Sequence, residues 1–275
     1  FVDIRMQVNE EGKKGAARSQ FRTMAKDMAK RYLPLVETLR NRGATDIERL
    51  LPSEPPTVSA GQLRTFAEKV DREQSKLGVS SVRRAEIDQL VADFLGRSAS
   101  YDNGPEVALA MVRILMHRYA VRIARAAPSL FEEFDPDPKT PLKADADVAH
   151  GARLHLHHEL GRPFHFGIDD ICDASNENAE VFLQYAGELV ANIETRAIRN
   201  EELPLPSRVQ QKALSGKARK IMEGWAFPQA TRVRSLVDTI AKDCLAESQL
   251  PNAPLGAGAN AVAILEEEMQ TLPLD

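Results

Sequence analysis

Residues 166–190, FGIDDICDASNENAEVFLQYAGELV, decide the fold class. They read as a short helix, a polar break at Ser175-Asn176-Glu177-Asn178 and a longer amphipathic helix whose apolar positions recur at helical spacing. Two amides and a hydroxyl at the mouth of a helix are capping chemistry, because their oxygens accept bonds from the orphan N–H groups of a first turn. Ser175 and Asn178 are therefore expected to cap the long helix, read over 178–200.

The same periodicity extends outward in both directions. Residues 16–42 carry Phe21, Met24, Met28, Leu35 and Leu39 near helical period, with Pro34 placed to kink or break the run. The three prolines of LLPSEPPTVS, residues 50–59, mark a linker, and Ser59 is a candidate N-cap for a helix over 60–77. Ser80 or Ser81 opens the next helix, with Ile87, Leu90, Val91, Phe94 and Leu95 on one face. The most apolar long helix, 105–127, has Pro105 in its first turn, where a missing N–H costs little, and ends before Pro128. Residues 129–147 are acidic and proline-punctuated, so the chain is divided near them into 1–140 and 141–275. Further helices are read through 148–160, shortly after LPLPS (203–207), near 213–223 and over 229–247. Only FVDIRMQV, at 1–8, looks like a strand. The expected fold is mainly α: a helical bundle in two parts with a short N-terminal strand.

At 275 residues and 43% hydrophobic, the chain can bury one large core or two modest ones. No window approaches 18 uninterrupted apolar residues, which argues against a membrane span and for a soluble protein. Cys172 and Cys244 lie inside apolar helical patterns, which fits buried thiols in a reducing, cytoplasmic compartment. The opening at Phe1 reads as the middle of something longer, with a catalytic half expected upstream.

Chemistry-bearing motifs are few. His150, His155, His157, His158 and His165 crowd together, but the HExxH order is absent and a Gly-Arg-Pro break sets His165 apart, so no metal is assigned. A polar helix end, with charged histidines favouring the C-terminal dipole, explains them instead. EEGKKGAARS and LSGKARK contain Gly-Lys pairs without the GxxxxGK[ST] spacing that closes backbone N–H groups around a phosphate. An autonomous ATPase is not supported, and no catalytic residue is assigned.

The basic residues are more suggestive. Residues 207–234 carry Arg208, Lys212, Lys217, Arg219, Lys220, Arg232 and Arg234 against the single acid Glu223, in a chain whose net charge is −4. Such clustering on a helical hairpin is the footprint expected for phosphate backbones, and its spacing admits a helix-turn-helix reader of DNA. A solvated helix face is the competing explanation. A second basic run lies at 13–42, and Arg118, Arg122 and Arg125 recur at helical spacing in 105–127.

The order of segments over 166–214 resembles the helical lid of AAA+ P-loop ATPases of the bacterial initiator and origin-recognition kind. In that family a short helix, a polar turn and a long helix precede a connector into a closing helix that ends in Ala-Leu. The counterparts are Ser175 to Asn178 for the turn, Phe182-Leu183 in the long helix, and Leu205-Pro206-Ser207 through Ala213-Leu214 for the close. The resemblance implies ATP as a cofactor bound by an upstream domain. It implies a nucleotide-facing helix start at Ser175, Asn176 and Asn178, where first-turn N–H groups favour phosphate. It also implies a following winged-helix-like module on DNA, and by analogy alone a link to phage defence.

The first expectation is thus a helical portion of a larger ATP-binding protein that covers nucleotide and relays its state to a partner. DNA and protein subunits of the same assembly are the candidate partners, and no membrane is expected. The alternative is a nucleotide-independent helical module binding nucleic acid or a protein. A third makes it a structural piece of an assembly, with helix 105–127 buried against a neighbour.

Overall fold

The structure is a computed structural model that describes residues 16–97, 102–126 and 142–250. Every regular element among the described residues is helical, so the mainly α expectation holds. The strand expected at 1–8 and most of the acidic connector lie outside the described residues. In chain order the helices are α1 (Ala16–Tyr32), α2 (Glu37–Asn41), α3 (Ile47–Leu50), α4 (Ala60–Lys76), α5 (Ser81–Arg97) and α6 (Pro105–Ala126). They continue with α7 (Ala146–Leu160), α8 (Gly167–Ala174), α9 (Ala179–Ile198), α10 (Ser207–Glu223) and α11 (Ala230–Ser248).

Local chemistry accounts for most of these boundaries. Pro34 ends the first helical run in a 3-10 turn over Leu33–Leu35, as its ring requires. Ser59 and Gln62 form a reciprocal capping box at the start of α4. The Ser80 hydroxyl accepts from the Arg83 N–H at 3.2 Å and opens α5. Asp145 caps α7 by accepting from Val148 N–H, and Gly161 closes the helix with φ of 64°, a left-handed value that glycine takes at little cost. One expectation fails: the two helices read at 207–223 are a single helix, α10. Gly216 is exposed, and the helix passes through it because Gln210 and Leu214 anchor the opposite face. A glycine inside a helix costs about 1 kcal/mol relative to alanine, which such anchoring exceeds.

The chain forms two compact units, each discontinuous in sequence: Phe1–Thr57 with Arg162–Ala226, and Val58–Gly161 with Phe227–Asp275. A single cut near 140 does not describe this division. Helix α7, beyond that cut, belongs with α4 to α6, because its Val148, Ala152 and Leu156 complete the same apolar cluster.

The first unit is built on α1, α2, α3, α8, α9 and α10. Phe21 of α1 meets Phe182 of α9 edge to face, 6.2 Å between ring centres. Leu189, Ile193 and Ala197 continue the α9 stripe, and Ile168, Ile171 and Cys172 bring in α8. Burial, with Asp169 nearby, pushes the Cys172 thiol up to about 12, so it behaves as a small apolar side chain. Neither Cys172 nor Cys244 is in a disulfide.

In the second unit α6 is the central helix. From Ala110 to Met116 every residue is buried, a helix enclosed on all sides. Its neighbours are α4, α5 and α7, so the segment 110–116 is covered within its own unit, while Ile123 further along α6 is exposed.

His155 shows how this unit responds to acid. Its Nε2 donates to the Ser248 carbonyl at 3.1 Å, while buried Nδ1 has no partner among the described residues. Burial lowers its pKa from the usual 6.5, and burial together with neighbouring His157 lowers that of His158. The expectation of charged histidines at this helix end is therefore corrected for both. A base depressed in the folded state is protonated first in the unfolded chain, so stability is lost as pH falls below 6.5 toward the folded values. The expected result is an NMR titration of His155 with a midpoint below 6.5 and lower amide protection factors in α7, corrected for intrinsic exchange, at pH 5.5 than at 7.5. A midpoint at or above 6.5 would contradict it.

Candidate nucleic-acid interface

Helix α10 begins at Pro206, whose extended backbone (φ −55°, ψ 143°) sets the chain for helical entry. No acidic residue lies in its first turn, and Arg208 does, so the positive end of the helix dipole is reinforced. The buried side is fixed by Leu214 and Gln210, with Val209 and Ala213 packed beside them. Gln210 is 0% exposed. Its Nε2 donates to Leu205 O at 2.7 Å and Pro52 O at 3.3 Å, while its Oε1 accepts from Gly167 N–H at 2.8 Å. Gln211 accepts from the N–H groups of Phe164 and His165. Two adjacent amides thus tie three chain segments to one helix and fix its rotation.

That rotation decides which basic residues face outward. At roughly 100° per residue, Arg208, Lys212 and Arg219 fall within about 40° of one another, along about 16 Å of helix. All three are exposed, and none has an ion-pair partner among the described residues. Lys217 lies on the opposite side and is half-buried. Lys220 is 3.7 Å from Glu188 of α9. Arg232 and Arg234 belong to α11, in the other unit, and Arg234 donates to Ala230 O and Thr231 Oγ1. The seven residues read as one cluster are therefore divided: three form a stripe, two lie elsewhere on α10, and two lie on α11.

The basic run of α1 contrasts with this stripe. Arg18 and Arg22 both bond Asp173, and Lys26 reaches Glu48 at 2.7 Å and Asp169 at 3.2 Å. Burial alone would raise the Asp173 carboxyl, but the bonds from Arg18 and Arg22 hold it below the usual range. These ion pairs hold α1 against α8 and α3, so Arg18, Arg22 and Lys26 already have carboxylate partners.

The helix start at 175–178 is organised around the protein's own groups. Asn178 Oδ1 accepts from the N–H groups of Glu180 (2.9 Å) and Val181 (3.2 Å), as expected of an N-cap. Ser175 does not share that role. Its hydroxyl is buried and donates to Cys172 O at 2.6 Å, closing α8 and not opening α9. Asn176 and Glu177 turn the chain at φ 50° and 60°, a left-handed conformation that asparagine tolerates better than most residues. Glu180 adds a carboxylate in the first turn of α9. Two first-turn donors are occupied, and the charge beside them is negative.

Among the described residues no group of three His, Cys, Asp or Glu is placed to hold a metal ion, and no helix is long and apolar enough to cross a membrane. What the sequence reading missed is a polar cluster in the second unit. Arg113 and His117, one turn apart on α6, meet Glu73 of α4 at 2.7 and 2.9 Å. Arg113 also bonds Glu159 of α7, which Lys69 of α4 holds from its other side. Burial would raise the Glu73 and Glu159 carboxyls, but hydrogen bonds from Arg113 and His117, and from Lys69 and Arg113, hold them below the ordinary range. The signal lay in the sequence: Arg113 is the lone charge in the most apolar stretch of α6. Comparison with protein-family models, curated proteins and solved structures finds no match to the chain.

Proposed function

We propose that this protein is a helical binding module whose α10 lies along the phosphate backbone of nucleic acid. The observation that carries the reading is the outward stripe of Arg208, Lys212 and Arg219, exposed on a helix whose opposite face is locked by Gln210 and Leu214. A rigid helix presenting three cations over about 16 Å spans about five base-pair rises. A chain with net charge −4 repels nucleic acid overall, so this local field is what would bring the two together.

Duplex and single-stranded DNA titrated between 50 and 200 mM salt test the proposal. Binding should fall steeply with salt, and the triple variant R208Q/K212Q/R219Q should reduce the magnitude of the log–log slope by about 2–3, since each phosphate contact on duplex DNA contributes about 0.9. The substituted side chains face solvent, so melting should be unchanged. Absence of binding at 50 mM salt, or a slope the triple variant leaves intact, rejects the interface.

The order α8, tight turn, α9, connector, α10 supports a second reading, the lid of a larger AAA+ protein with ATP bound upstream. The occupied first turn of α9 and the carboxylate of Glu180 weigh against a phosphate at that helix start. The same DNA titrations with and without ATP, made on the native polypeptide together with any segment upstream of Phe1, separate the two. Indifference to ATP favours the binding module, and an ATP-dependent affinity favours the lid.

A further inference from the structure

Helix α11 carries an apolar stripe that joins neither core. Val233, Leu236, Val237, Ile240 and Cys244 recur at coiled-coil spacing. None of them belongs to either apolar cluster among the described residues. Leu236 is 59% exposed and Val237 36%, although both lie in the middle of the helix. The flank of the stripe is charged in a particular order: Arg232 near the start and Asp243 three turns later, on the same side. Both are exposed and neither has an ion-pair partner among the described residues.

We propose that this stripe is the contact between two copies of the chain, paired antiparallel through α11. The charge order commits the geometry. The stripe from Val233 to Cys244 and the pair Arg232 and Asp243 share nearly the same midpoint, close to residue 238. A two-fold axis there sets Val233 of each copy beside Cys244 of the other and Val237 beside Ile240. It also brings Arg232 of each copy to Asp243 of the other, twice by symmetry. A parallel pairing sets this flank against the opposite flank of the partner helix, so Arg232 and Asp243 of the two copies do not meet and the charge order contributes nothing there. The contact is about 17 Å long, one helix wide and at the small end of specific interfaces, so the association is weak and concentration-dependent.

Sedimentation equilibrium of the full chain over a thousandfold concentration range tests this. The mass should rise from 30.4 kDa toward twice that value. Leu236→Glu should weaken association at least tenfold without lowering the melting temperature, since the side chain is mostly exposed. Orientation is read by crosslinking. Val233→Cys should form a disulfide with the natural Cys244 of the second copy under mild oxidation, and V233C/C244S should lose it. The two positions are about 16 Å apart within one helix, too far to link in a single chain. Cys172 is buried and does not compete. A monomer at every concentration overturns the proposal, as does a dimer indifferent to Leu236→Glu, or a crosslink that survives in V233C/C244S. A monomer whose Leu236→Glu variant melts earlier would show instead that another part of the chain covers the stripe.

Discussion

Arg113→Met is expected to lower the unfolding free energy of the second unit by about 2–4 kcal/mol, one of the two largest effects foreseen for a single substitution here. The Arg113 side chain is 8% exposed and spans from Glu73 to Glu159, on helices that flank α6. Removing it leaves two largely buried carboxylates with only His117 and Lys69 between them and their own repulsion. A fully buried pair broken in this way costs about 3–5 kcal/mol, and the partial exposure of Glu73 and Glu159 reduces that figure. The physical content of the claim lies in the triple variant. If desolvated charge is the cause, R113M/E73Q/E159Q should recover most of the loss, because the unpaired carboxylates are gone. If Arg113 contributes mainly by packing, the triple variant stays as weak as the single one. Hydrogen exchange read at α4, α6 and α7 localises the effect to the unit that contains them. The wild type should also weaken in acid: both carboxyls are depressed in the folded state, so their contribution is intact above about 4.5 and is lost as pH falls below it.

Gln210→Glu is the second large effect, about 2–4 kcal/mol in the first unit at neutral pH. The substitution keeps shape and volume and changes a single donor into an acceptor. A carboxylate at 210 can still accept from Gly167 N–H, but it meets the Leu205 and Pro52 carbonyl oxygens with lone pairs and negative charge. Only the protonated acid can donate to Leu205 O, so the folded-state pKa of this carboxyl is raised. Stability of the variant is then greatest below the ordinary carboxyl range and is lost as pH rises through the raised value. That is opposite in sign to the wild-type response to acid. Unfolding followed between pH 4 and 8 checks it: a variant whose stability does not improve toward acid, relative to wild type, rules out the buried donor as the reason Gln210 matters. Gly167 shares the site. Its φ is 77°, and a Cβ there would lie 2.8 Å from Ser53 Cβ, so the N–H that Gln210 accepts from is held where no larger residue fits.

The two residues differ in how visible they are in the sequence. Arg113 stands out, a charge inside an apolar run, although its partners Glu73 and Glu159 lie 40 and 46 positions away and carry no local mark. Gln210 does not stand out. It sits between Arg208 and Lys212 and reads as one more polar residue of a solvated helix, while its rotation toward the core depends on carbonyls supplied by residues 52 and 205. The basic cluster illustrates the same limit from the other side. Composition alone found seven cations in 28 residues, but which of them share a face follows from the phase of α10, and which are already paired follows from Glu188.

What the sequence determined by itself was local: the helical class, the break at Pro34, the capping box at Ser59 and the cap at Asn178. Each depends on groups within about four residues of one another, whose bonds form whatever the rest of the chain does. The tertiary structure decided the pairing of distant segments. It joined α7 to α4 to α6 across the acidic connector, turned the Ser175 hydroxyl back to Cys172, and merged two expected helices into α10 by anchoring its inner face. It also left Arg208, Lys212 and Arg219 facing solvent while Arg18, Arg22 and Lys26 of α1 were taken up by Asp173, Asp169 and Glu48. Those outcomes rest on burial and on bonds between residues far apart in the chain, and periodicity within one segment carries no information about either.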